Sequence, residues 1–182
     1  MHTTALKACL VIATLATGSA SAEVVSSSAT HFTLRHTAES SMSASQMWDR
    51  LLQPSAWWHP DHTYSGSSQN LTLDAQAGGL WKETWDDNSV AHGEVLLIEK
   101  GKTLRLSAPF GPLQSVGAYS VWTISINALD EGCAVTFSET AIGPPTAKLD
   151  ELASAVDFVK SEESADSSVW TDFPRRTPQA HS

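Results

Sequence analysis

Two acidic residues stand where a carboxylate is costly. Strand alternation puts Glu83 on one face with Trp81 and Trp85, and Glu139 on one face with Val135, Phe137 and Ala141. A carboxylate among apolar neighbours must be paired, hydrogen-bonded or shifted in pKa. Such a group suits general acid–base work or the anchoring of a polar ligand atom. A structural hydrogen bond satisfies the same demand. Desolvation by the flanking Trp residues predicts a raised pKa for Glu83, unless a cation such as Arg35 or Arg105 opposes it. His62 and His92 are the other acid–base candidates.

His59-Pro60-Asp61-His62 has a close His pair, a spacing that zinc sites use. His92 or Glu83 would have to complete the set. Pro60 restricts His59 and no Cys is near, so a polar loop is the better reading and no metal or other cofactor is assigned. Nucleophilic catalysis has no G-x-S-x-G support. Gly78-Gly79 lacks the further Gly and Lys of a phosphate loop.

Seven Trp occur in 182 residues. Trp57, Trp58, Trp81, Trp85, Phe110 and Trp122, with His62 and Glu83, are the candidate walls of an apolar pocket. For Trp48 and Trp122 plain core is the preferred reading. The net charge of −9 argues against a nucleic-acid binder, which normally needs a basic face.

The elements that must position these residues follow from periodicity. His31–Ser41 reads as a first strand. Ser43 caps a helix over Ala44–Leu52, with Gln46 closing a capping box and Pro54 ending it. Strands follow at Asn70–Asp74, Leu80–Asp86, Val90–Glu99, Thr103–Ala108, Ser115–Leu129 and Cys133–Ile142. Their short connections predict an antiparallel meander. A helix over about Thr146–Glu163 carries a stripe of Leu149, Leu152, Ala153, Val156 and Val159. The expected class is α+β, a curved antiparallel sheet wrapped around a long C-terminal helix.

Residues 1–22 read as a secretory signal peptide: Lys7, an apolar run over Ala8–Ala16, then Ala20-Ser21-Ala22. The run is too short to span a membrane. The expected location is periplasmic or secreted, with cleavage near Ala22. Residues 23–30 are Ser-rich and read as a flexible lead-in, 31–163 as the domain, and 164–182 as a disordered tail.

Trp57-Trp58, His62-Thr63-Tyr64-Ser65-Gly66, Gly78-Gly79-Leu80-Trp81-Lys82-Glu83, Leu104-Arg105-Leu106 and Phe110-Gly111-Pro112-Leu113 occur in that order before the final helix. In this the chain resembles the START-like SRPBCC superfamily over about Phe32–Lys160. The similarity is to polyketide cyclase/dehydrase-like or heat-shock-ATPase-activator-like members. The resemblance implies a helix-grip fold with a deep cavity between sheet and helix. It also implies a hydrophobic small molecule as partner. The resulting expectation is an exported binding protein. The alternatives are a cyclase or dehydratase using a cavity Glu or His, and a partner-binding module with no cavity.

Overall fold

The structure is a computed structural model, and it describes residues 21–166, with side chains over 23–157. Eight antiparallel strands form one sheet: β1 (Ser21–Ser28), β2 (His31–Ser40), β3 (Leu71–Leu73), β4 (Leu80–Trp85), β5 (Asn88–Glu99), β6 (Thr103–Ser107), β7 (Tyr119–Ala128) and β8 (Cys133–Ile142). Their order is β1-β2-β8-β7-β6-β5-β4-β3. From β3 to β8 each strand turns back on its predecessor, and β2 closes onto β8 across ten residue pairs.

Three helices accompany the sheet: α1 (Ala44–Leu51), α2 (Pro112–Ser115) and α3 (Leu149–Asp166). The Ser43/Gln46 capping box is formed as expected. α1 buries Met47, Trp48 and Leu51 and packs on β7 and β8. α3 lies across β1 and β2. It starts where Lys148 adopts a left-handed φ of 49° and Leu149 donates its amide to Ala29 O.

The alternation carried into the fold. Trp122, Ile124 and Ile126 of β7 are buried, as are Val135, Glu139 and Ala141 of β8. A core of Trp57, Trp58, Trp81, Leu104, Leu106 and Trp122 fills one half of the concave face. Phe32, Leu34, Leu113, Ala118, Leu149 and Ala153 fill the other.

Four segments differ from expectation. Glu23–Ser28 is no flexible lead-in but part of β1, an edge strand paired with β2 from Ser28↔His31 to Ser21↔Thr37. Its Val24-Val25 supply β-branched residues, and the Ala29-Thr30 turn is anchored by the amides of Leu149 and Gly143. The seventh strand begins at Tyr119, because Pro112 opens a helical turn over Pro112–Ser115. The last helix begins at Leu149, since Pro145–Ala147 forms a separate 3-10 turn. Residues 164–166, assigned to the disordered tail, continue α3; residues 167–182 lie outside the described region, as do residues 1–20 of the expected signal peptide.

Within the expected stripe on α3, Leu149 and Ala153 are buried, whereas Leu152 and Val156 are half-buried at the edge of the same cluster. Leu149→Ala is therefore expected to cost about 2–5 kcal/mol. Leu152→Ala is expected to cost clearly less. Urea unfolding of the two variants checks this, and equal losses would refute the ranking.

Candidate functional site

The site is built around a carboxylate with no exposed surface. Glu83 lies in β4 between Trp81, which is also buried, and Trp85. Its neighbour across the ladder is Val90 of β5. Three donors meet it. The Tyr64 amide donates to Oε2 at 3.1 Å and the Ser65 amide to Oε1 at 2.5 Å. His92 Nε2 lies 2.9 Å from Oε2. Burial raises the Glu83 pKa, but the hydrogen bonds from Ser65, the Tyr64 amide and His92 outweigh it. The net direction is down, opposite to the sequence expectation. The desolvation was legible; the amides from a loop eighteen residues upstream were not. Neither Arg35 nor Arg105 is the partner: both are exposed, and Arg105 Nε bonds Thr123 Oγ1.

A β-bulge delivers His92. Trp81 pairs with Gly93 and Lys82 with Ala91, so His92 is the extra residue between them. His92 and Gly93 are consecutive and both buried, which a regular strand does not allow. Gly93 is required there, because a Cβ would lie 2.7 Å from Ser107 O.

The loop that supplies the two amides is held at several points. Trp58 Nε1 donates to His62 O at 3.0 Å, and Thr63 Oγ1 donates to Pro60 O at 2.6 Å. Ser65 Oγ accepts from Asn70 Nδ2 at 2.9 Å. Tyr64 is exposed and stacks on Trp85, with ring centroids 6.5 Å apart and 14° between planes.

A cavity of about 210 Å³ opens beside this cluster. Trp58, His62, Tyr64, His92, Phe110 and Glu139 border it from the sheet side and its loops. Leu113 of α2 and Ala155 and Val156 of α3 complete the wall. Phe110 is central: its ring stacks on His92 at 5.3 Å and 13°, on Trp58 at 5.1 Å and 26°, and on Trp122 at 4.6 Å and 23°. Gly111, with φ of +53°, turns the chain so that Phe110 and Leu113 both point inward. Glu139 reaches the cavity from β8, and Ser120 Oγ donates to its Oε1 at 2.7 Å.

Of the expected pocket residues, Trp58, His62 and Phe110 border the cavity, with the acid–base candidates His92 and Glu139. Trp57 and Trp81 are packed in the core instead, at 5% and 1% exposure, and Trp122, for which core was the preferred reading, is buried at 2%. Trp85 stacks outside on Tyr64. Glu83 stands behind His92 rather than on the wall. Sequence reasoning missed Tyr64, Gly111, Leu113, Ala155 and Val156. For the last two the signal was present, since Val156 belongs to the apolar stripe of the final helix and Ala155 adjoins it. Among the described residues no group of three or more His, Cys, Asp or Glu is placed to hold a metal. His59 and His62 stack at 5.4 Å.

The lowered Glu83 pKa fixes a pH dependence. A carboxylate whose folded pKa lies below its unfolded value stabilises the fold fully above the unfolded value, about 4.3. That stability is lost as pH falls through the depressed folded value. Denaturant unfolding between pH 7 and pH 2 is expected to show Glu83→Gln less stable at neutral pH, converging on the parent in acid. A constant gap at all pH values would show that Glu83 is not ionised in the fold.

No protein-family model matches the chain, and no curated protein matches its sequence. Solved structures do match in fold. Norcoclaurine synthase of Thalictrum flavum, determined as a point mutant with a transition-state analogue, superposes with a TM-score of 0.54 at 15% identity, over 78% of this chain and 92% of that one. A Rhizobium leguminosarum protein gives 0.54 at 16% identity, over 84% and 96%. A Rhodobacter sphaeroides protein gives 0.52 at 18% identity, over 79% and 93%. At these identities the likeness is one of fold: the chain has the curved antiparallel sheet and C-terminal helix of a helix-grip α+β architecture.

Proposed function

We propose that this is an exported binding protein that holds a small hydrophobic molecule between the sheet and α3. The observation that carries the reading is the cavity itself. It is bounded by Trp58, Phe110, Leu113 and Val156, with a few polar groups at defined places, which is the usual make-up of a small-molecule site. The fold shared with norcoclaurine synthase supports it, as a fold that accommodates ligands. Export rests on the charged start, short apolar run and Ala20-Ser21-Ala22 of the first 22 residues. Cleavage after Ala22 leaves Glu23–Ser28 available to pair with β2. No described helix is long and apolar enough to cross a membrane. A partner-binding module without a cavity does not fit a structure that has one.

One observation favours a second reading. The Glu83–His92 pair is an oriented base beside the cavity, the arrangement that serves proton transfer in acid–base enzymes. In that reading a bound ligand is converted, and His92→Gln retains binding but stops conversion.

Native mass spectrometry of the isolated protein, followed by titration with an apolar dye read through Trp emission, tests the binding reading. Ala155 is exposed on α3 yet borders the cavity, so Ala155→Trp fills the space without disturbing the core. Saturable quenching is expected in the parent, with at least tenfold weaker binding in Ala155→Trp and an unchanged melting temperature. Equal binding by both proteins would place the dye elsewhere.

A further inference from the structure

The aromatic rings at the cavity form two flat surfaces with a bend between them. On the inner side Trp122, Phe110 and His92 follow one another, with centroids 4.6 and 5.3 Å apart and planes inclined by 23° and 13°. On the outer side Tyr64 and Trp85 lie within 14° of one another. The two sets meet between His92 and Tyr64, where the centroids are 5.9 Å apart and the planes differ by 38°. A single line of rings therefore runs from a buried indole to the surface and bends once, at the rim of the cavity.

Tyr64 is a fixed step on that line. Its amide donates to Glu83 Oε2 at 3.1 Å, and the amide of the next residue, Ser65, donates to Oε1 at 2.5 Å. Its ring is backed by half-buried Trp85. Tyr64 is nevertheless 56% exposed, and it borders the cavity. Trp58 and Phe110, the other large aromatic residues there, are buried and half-buried. An accessible ring held in place at the mouth of an apolar cavity gives a second ring something to stack on.

Size and shape say what such a ligand looks like. The cavity, about 210 Å³, is smaller than the roughly 300–1,000 Å³ that enclose a drug-sized molecule. A larger ligand must continue past the rim, where Tyr64 stands. A fused ring system is one rigid plane, so it can lie along the inner surface or the outer one but not both. Two rings joined by a short saturated link can turn through the 38° that separates them.

We propose that Tyr64 and Trp85 form an outer subsite continuous with the cavity, and that the site selects jointed two-ring molecules, one flat ring inside and the second on Tyr64, over fused planar ones of the same size. This rests on the binding reading above and names the ligand shape that the same site takes.

Three probes test it by calorimetry on the isolated protein: 4-ethylphenol with one ring, 4-(2-phenylethyl)phenol with two jointed rings, and 9-phenanthrol, which has as many carbons as the jointed probe but is fused and flat. A stacked ring that also buries apolar area is worth about tenfold in affinity. The jointed probe should bind about tenfold more tightly than either of the others. Tyr64→Ala keeps the backbone amide that Glu83 holds and removes the step. It should cut the affinity of the jointed probe at least fivefold and that of 4-ethylphenol less than twofold. Tyr64→Phe keeps a ring and should bind all three probes as the parent does, and Trp85→Ala should weaken the jointed probe selectively. Equal binding of the jointed and fused probes, or equal losses for the jointed and one-ring probes in Tyr64→Ala, would overturn the outer subsite, while retained binding of 4-ethylphenol left the binding reading standing. Failure of all three probes to bind the parent would overturn the binding reading and the subsite with it.

Discussion

The structure turns on one demand: the Glu83 carboxylate has lost all contact with solvent, and its oxygens must be satisfied from within. A buried carboxylate left without donors would take up a proton or unfold its surroundings. Two backbone amides and one imidazole answer it. The donors arrive from different directions, so meeting the demand also positions two further parts of the chain. The loop at Tyr64-Ser65 is drawn down onto β4, and the bulged residue of β5 is aimed inward.

That arrangement ties stability to the site. The loop drawn in by Glu83 also carries His62 and Tyr64, which border the cavity, and Trp58 anchors the same loop through its indole N–H to His62 O. Phe110 then stacks on both Trp58 and His92, so the aromatic wall inherits the placement that the hydrogen bonds impose. A charge-assisted network of this kind specifies one arrangement of loop and strand where apolar packing alone would tolerate several.

The far wall comes from α3, which starts only after two redirections of the chain, at the 3-10 turn Pro145–Ala147 and at left-handed Lys148. The tie from Leu149 to Ala29 and the edge strand β1 fix where the helix begins. β1 therefore supports the wall, although its Ser-rich sequence resembles that of a linker.

Much was legible in the chain alone. The capping box at Ser43 and Gln46, the meander from Leu80 to Ile142 and the burial of Glu83 and Glu139 follow from local rules: capping chemistry, two-residue alternation and short turns. They depend on neighbours a few residues away, so a linear sequence displays them. Trp and His clusters are visible by composition, and of the candidates they supplied Trp58, His62 and Phe110 border the cavity. What tertiary structure alone decided was which of them face the cavity and in what ionisation state. Trp57, Trp81 and Trp122 fell into the core, where their rings pack against other aromatic side chains. The bulge at His92 broke the alternation that would have sorted its neighbours. The Glu83 pKa moved down because Ser65, through its side chain and amide, and the Tyr64 amide reach it from a loop that no periodicity connects to β4, with His92 adding to them. Local propensity acts through bonded neighbours; desolvation, donor placement and cavity shape act through space, and those were settled only when the chain closed on itself.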